Sequence, residues 1–225
     1  MSNNYYSQKL SSSKLQKCYE LASSRVKKFL QAEIEFVLNF INPEDKVLEL
    51  GCGYGRVLQS FLGKAKRVVG IDTSADSLEH AHTFIGNKYP YELYQMNAIN
   101  LDFENGEFDI VVCIQNGVSA FHEDKKKIIK EAVRVTKSGG KVLFSSYSAN
   151  FWEERLQWFQ VQAEYGLLGE IDEEKTGNGN IVCKDGFTAT TVSQQEFLEL
   201  TSGLHVSAQI REIDNSTIFC VMSVL

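Results

Sequence analysis

The sequence is short of positive charge: 23 Lys and Arg face 29 Asp and Glu, a formal net charge of −6 over 225 residues. That balance offers no basic footprint for a polyanion and disfavours nucleic acid as the main partner. Lys125-Lys126-Lys127, the densest positive run, reads as a solvated helix start. Cysteine is sparse and unpatterned. Residues 18, 52, 113, 183 and 220 are odd in number and form no Cys-x-x-Cys pair, so neither a zinc cage nor a disulfide framework is suggested. Three of them sit in apolar strand patterns, where cysteine acts as a small hydrophobe. The four histidines form no cluster with carboxylates at ligand spacing, and no metal is expected. No stretch approaches the ~20 apolar residues of a bilayer span. The polar N-terminus, Met1 to Gln8, lacks an apolar signal core. A soluble, cytoplasmic protein with no membrane partner is the expectation.

What the chain does have is ordinary globular composition, 43% hydrophobic and 23% charged, at a length that fits one domain, 1–225. Residues 14–41 carry an approximate helical stripe that Asn42-Pro43 stops. Strand and helix then alternate. Strands are predicted at Lys46 to Leu50, Arg67 to Ile71, Tyr91 to Met96, Phe108 to Ile114 and Lys141 to Ser145. The intervening helices are Arg56 to Leu62, one opening after Thr73-Ser74, and Glu123 to Lys137, which Ser138-Gly139-Gly140 ends. Such alternation predicts an α/β fold with a mostly parallel sheet wrapped by helices, and ligands bind beyond the carboxyl ends of its strands. After Tyr147 the rhythm changes. Asn150 to Tyr165 reads as an aromatic-rich helix, and a turn at Gly177 to Asn180 suggests a hairpin between Ile171–Glu174 and Ile181–Lys184. A short helix, Ser193 to Leu200, precedes Val206 to Ile213 and Thr217 to Val224, an antiparallel edge pair.

The most informative segment is Val47 to Gly55, a buried strand running into a turn with glycine at 51, 53 and 55. Glycine lets the backbone approach a ligand closely. Glu49, two residues before the turn, would repel a pyrophosphate, and Arg56 stands where the dinucleotide fingerprint wants its third glycine. S-adenosyl-L-methionine carries an ammonium and a sulfonium, both positive, and suits an acid at that place. Glu49-Leu50-Gly51-Cys52-Gly53-Tyr54-Gly55 resembles the first motif of class I S-adenosylmethionine-dependent methyltransferases, with motif matches running to about Ser146.

The resemblance implies a Rossmann-like sheet of seven strands, mostly parallel with one antiparallel terminal strand, helices on both faces and a small cap. It implies S-adenosyl-L-methionine as cofactor, its methionine end held by Gly51, Cys52, Gly53 and Gly55 with Glu49 facing the ammonium. Asp72, ending the second strand, would accept from both ribose hydroxyls, since a carboxylate has lone pairs for two donors; Thr73 would flank it. Asn97-Ala98-Ile99 stands at the adenine position, with Asn97 replacing the usual aspartate. Gln115 would touch the donor and Asn116 the acceptor. The stretch Asn116 to His122 is similar to small-molecule N-methyltransferases, and His122 is a candidate proton acceptor.

The segment 1–42 and the insertion 148–190 are expected to cap the acceptor site. Trp152 and Arg155, within the group Phe151, Trp152, Trp158, Phe159 and Tyr165, are candidate acceptor contacts. Tyr5, Tyr6, Tyr19 and Arg25 would close the pocket from the N-terminal side. The implied reaction is in-line displacement at the sulfonium methyl by a small-molecule acceptor, with orientation supplied by the protein. A protein or RNA acceptor, and a donor-binding protein without catalysis, are the alternatives.

Overall fold

Buried β-rich runs set the sheet, and the helices between them follow from where their apolar faces can go. The computed structural model describes Tyr5, Leu10 and residues 12–225. In chain order the elements are α1 (Ser13–Glu20), α2 (Ser24–Leu38), β1 (Lys46–Leu50), α3 (Leu58–Phe61), β2 (Arg67–Asp72) and α4 (Ala75–Ile85). They continue with β3 (Glu92–Gln95), β4 (Phe108–Cys113), α5 (Gly117–Ala120), α6 (Lys125–Val135) and β5 (Thr136–Tyr147). The last part holds α7 (Trp152–Glu164), β6 (Ile181–Val182), β7 (Thr188–Ala189), α8 (Gln194–Thr201), β8 (Val206–Ile213) and β9 (Thr217–Val224).

Seven strands form one sheet in the order β3-β2-β1-β4-β5-β9-β8, with β6 and β7 a separate small pair. The first five are mutually parallel. The C-terminal strand β9 pairs antiparallel with both β5 and β8. The α/β fold, with seven strands and one antiparallel terminal strand, is therefore the one the sequence implies. Neighbouring residues of a strand point to opposite faces, so Leu48 enters a core with Phe108, Val111, Ile128 and Phe197. Val47 enters the other, with Phe61, Val68, Ile110 and the α2 residues Ile34 and Val37. Both faces are covered, which is why β1 and β4 read as continuous apolar runs. No described helix is long and apolar enough to cross a membrane.

Four boundaries differ from the sequence reading. The helix expected over 14–41 is broken between α1 and α2, because Ser23 is extended and its hydroxyl accepts from the Val26 amide at 3.2 Å, capping a new helix. The helix Arg56 to Leu62 is reduced to the single turn α3. Ser138-Gly139-Gly140 does not end a helix. It lies inside β5, where pairing with β4 shifts between Phe108–Thr136 and Ile110–Lys141, a bulge with Gly139 at φ +79°. And the strand expected over Lys141 to Ser145 extends over Thr136–Tyr147, while β8 and β9 form the antiparallel pair expected at the edge of the sheet. The turn at Gly177 holds: Gly177 and Asn180 exchange backbone bonds of 2.9 Å each, and Ile171 bridges Cys183.

A third core joins the N-terminal segment to the insertion, with Leu10, Cys18, Val26, Phe29, Tyr147, Phe151, Trp158, Phe159 and Phe187 packed together. Helix α2 belongs to both this core and the sheet. Its buried stripe contains Glu33, fully buried, whose carboxylate accepts from the Gln115 amide at 2.7 Å and from the Thr217 hydroxyl. Glu33 thereby ties α2 to the loop after β4 and to the start of β9. Burial pushes its carboxyl up to about 7, against the pull of those hydrogen bonds.

The folded chain therefore keeps a proton on Glu33 that the unfolded chain loses above its ordinary value of 4.5. The resulting stabilisation is complete below that pH and is lost as pH rises through about 7. Urea melts between pH 4.5 and 8 should show wild-type stability declining across this window, with a smaller slope in Glu33→Gln; an equal slope would contradict the assignment.

Candidate functional site

The site lies where β1 ends and the chain turns sharply through Gly51 to Gly55. The amides of Gly51 and Cys52 both donate to the Ile71 carbonyl, at 2.8 and 2.9 Å, which pins the turn to the end of β2. Two of its glycines are required by space as well as by backbone. Gly51, at φ +73°, would place a Cβ 2.4 Å from the Phe121 ring, and Gly55, at φ +87°, one 2.5 Å from Ile85. A side chain at either position would have to displace its neighbour and adopt a conformation that L-residues rarely take.

One cavity opens above this turn. Of the residues expected at the donor, Glu49, Gly51, Cys52, Gly53, Asp72, Thr73, Asn97, Ala98 and Gln115 all line it. Glu49, next to last in β1, is 4% exposed, and its Oε2 is buried with no hydrogen-bond partner. Burial pushes its carboxyl up to about 8; the positive charge of Arg56 pulls the other way and Asp72 adds to the rise. A buried, unpartnered carboxylate oxygen at the ligand-binding edge fits a cation.

Asp72 does not cap helix α4; Ser74 does, accepting from the Ser77 amide at 3.2 Å. The Asp72 oxygens instead accept from the amides of Gly53 and Ser74, each at 2.9 Å, binding the end of β2 to the glycine turn. Burial raises its carboxyl and those amide bonds lower it, burial being the larger effect. Each oxygen retains a lone pair for a hydroxyl donor. Asn97 folds its amide oxygen onto the Ile99 amide at 3.1 Å and donates its Nδ2 to Glu123 at 3.1 Å. Glu123 also lines the cavity. It brings a carboxylate to the place where Asn97 lacks one.

The opposite wall is aromatic: Tyr19 from α1, Tyr147 from β5, and Trp158 and Phe159 from α7, with Gln162 beside them. The Trp158 indole donates to the Cys18 carbonyl at 2.9 Å, locking α7 onto α1. Gln115 sits between the walls at φ +57°, its amide held by Glu33 and by the Ser145 hydroxyl at 2.8 Å.

Other expected site residues lie off the cavity. Gly55 and Ile99 stand behind its wall, against Ile85 and the sheet core. Asn116 is buried and engaged in the fold, donating to the Thr190 carbonyl at 2.8 Å and accepting from the Ser146 hydroxyl at 2.8 Å. Arg155 is 1% exposed and holds the insertion together through the carbonyls of Gly179 and Ala189, at 2.7 and 2.9 Å, with its guanidinium 4.5 Å over Tyr147. Trp152 packs against Arg155 and does not line this cavity. His122 follows α5 at φ +52°, is exposed, and does not line the cavity either. Tyr5 bonds Asp185 at 2.6 Å and Arg25 pairs with Asp214 at 2.7 Å, so of the N-terminal group only Tyr19 reaches the pocket; Tyr6 lies outside the described residues.

Three residues that bear on the site were not singled out from sequence: Glu33, Glu123 and Phe121. The signal for Glu33 was present, since it interrupts the stripe Val26, Phe29, Leu30, Ile34 and Val37 at helical spacing.

Residues 47–140 match a family model described as methyltransferase domain. A ubiquinone biosynthesis O-methyltransferase from Idiomarina loihiensis is 29% identical over 108 residues, 47% of this chain and 43% of its own length. A malonyl-[acyl-carrier protein] O-methyltransferase from Hamiltonella defensa is 32% identical over 151 residues, 65% of this chain and 54% of its own. The chain thus spans about half the length of these curated relatives. In fold, a crystal structure of a protein from Pyrococcus horikoshii superposes with a TM-score of 0.65 over the whole of both chains at 19% identity. With the acid-and-glycine turn, the acid closing β2 and the strand order all in place, residues 47–140 form a methyltransferase domain similar to those of class I S-adenosylmethionine-dependent methyltransferases.

Proposed function

We propose that this protein transfers the methyl group of S-adenosyl-L-methionine to a small-molecule acceptor. The observation that carries the acceptor class is the aromatic wall. Tyr19, Tyr147, Trp158 and Phe159 share one cavity with Glu49 and Asp72, so the acceptor side is roofed by α1 and α7. The N-terminal helices and the segment 148–190 act as its cap. A roofed aromatic cavity suits a compact, largely apolar molecule better than a polyanionic strand, and the net charge of −6 agrees. One relative's name places it in ubiquinone biosynthesis, which is small-molecule chemistry.

The residues fit the donor by their own chemistry. The unpartnered oxygen of Glu49 receives the ammonium, and Asp72 accepts from the ribose hydroxyls. Glu123 and Asn97 meet the adenine amino group, while the glycine turn lets the backbone come close. When bound, the donor supplies an electrophilic methyl on a positive sulfur. His122 lies outside the cavity, so the chain's part is placement and exclusion of water. Placement alone supplies about 7–11 kcal/mol of barrier reduction in well-oriented reactions.

Two measurements test this reading. Turnover on a panel of small amines, phenols and thiols should release S-adenosylhomocysteine; turnover confined to tRNA, ribosomes or a protein would overturn the acceptor class. For the donor, Glu49 is protonated in the free protein below about pH 8 and must ionise to face an ammonium. Calorimetry near pH 7 in buffers of different ionisation enthalpy should therefore show S-adenosylhomocysteine binding with release of up to one proton per site. That release should fade well above pH 8 and be missing in Glu49→Gln. Proton-neutral binding by the wild type at pH 7 would contradict the role of Glu49.

A further inference from the structure

The cavity holds a second buried polar atom without a partner, and it belongs to Arg56. This residue directly follows the glycine turn, and its side chain lines the cavity together with Glu49. Its guanidinium lies 4.3 Å over the Tyr19 ring, and one Nη donates to the Gln115 side-chain oxygen. Its Nε is buried and donates to nothing. Stacking and one hydrogen bond fix the orientation of the guanidinium plane and leave that N–H unsatisfied.

Glu49 and Arg56 are thus orphans of opposite sign in the same cavity. Glu49 feels the positive charge of Arg56, yet its Oε2 and the Arg56 Nε each lack a hydrogen-bond partner. A buried donor and a buried acceptor both left open are unfavourable in the free protein, and a ligand that satisfies both relieves both. A single anion would serve Arg56 and repel Glu49, and a single cation would do the reverse. A zwitterion with ammonium and carboxylate on one carbon answers both, and guanidinium is the side chain best matched to a carboxylate.

We infer that Arg56 is the carboxylate-binding residue for the amino-acid end of the donor, clamping it opposite Glu49. This rests on the proposed donor reading of the cavity and extends it to a residue outside the glycine turn's backbone. Tyr19 and Gln115 act as its positioning residues: they hold the fork and do not themselves contact the carboxylate. The N-terminal helix α1 therefore shares in donor recognition through the Tyr19 ring.

The test compares ligands that differ only at that end. Calorimetric titration of the wild type and of Arg56→Met is run with S-adenosylhomocysteine and with 5′-methylthioadenosine, which keeps the nucleoside and lacks the amino acid. The expected result is a loss of about 10- to 100-fold in S-adenosylhomocysteine affinity for Arg56→Met, with 5′-methylthioadenosine affinity held within about twofold. Equal loss for both ligands, or no loss for either, overturns the inference; the second result would assign Arg56 to the acceptor instead. Should Arg56→Met fail to fold, the wild type alone decides. It should bind S-adenosylmethionine at least about tenfold more tightly than the decarboxylated donor, and equal affinity overturns the clamp. Wild-type protein that binds neither nucleoside overturns the donor reading itself and the inference with it.

Discussion

A carboxylate one residue short of the carboxyl end of β1 has one oxygen unpaired, and the rest of the proposed site is arranged around that unmet demand. Glu49 cannot turn to solvent, because β1 is flanked on both sides by strands and covered on both faces. Burial alone would keep it protonated near neutrality. The fold tolerates this at the carboxyl edge of a parallel sheet, where strand ends diverge and a ligand can enter. The charge that Glu49 holds in reserve becomes useful only when a cation arrives.

The scaffold around that position is built from local bonds of ordinary strength. The glycine turn hangs from the Ile71 carbonyl near the end of β2, and Asp72 ties the same turn to the start of helix α4. Glu33 fixes the loop after β4 from the helix beneath. Chain segments distant in sequence thus converge on one cavity. The segment 148–190 uses the same logic: Arg155 gathers its carbonyls and Trp158 fastens it to α1. Side chains from α1 and α7 line one cavity together with the ends of β1 and β2, which on the proposed reading would give donor and acceptor a shared space.

Much of this was legible in the residues. Alternating apolar runs and helical stripes lead to the parallel sheet. Glu49, Gly51, Gly53 and Asp72, singled out by backbone geometry and charge at fixed spacing, meet in one cavity at its carboxyl edge. The break between α1 and α2 was hidden, since the apolar stripe runs on through it and only the Ser23 cap divides it. The bulge in β5 was hidden for a different reason: Ser138-Gly139-Gly140 looks like a helix stop, and only pairing with β4 shows it as part of a strand. Side chains whose role depends on three-dimensional neighbours were the hardest to assign. Arg155 and Asn116 carry polar groups suited to a substrate, yet the fold spends both on backbone carbonyls. Arg56 was noticed only as a missing glycine, and its place in the cavity follows from a tyrosine 37 positions earlier.

The most direct test is a crystal structure of the protein with S-adenosylhomocysteine at a resolution that shows ordered water. The account places the ammonium on Glu49, directly or through one water molecule, with the ribose hydroxyls on Asp72. A nucleoside lodged anywhere else, or an ammonium turned away from Glu49 into solvent, would contradict it.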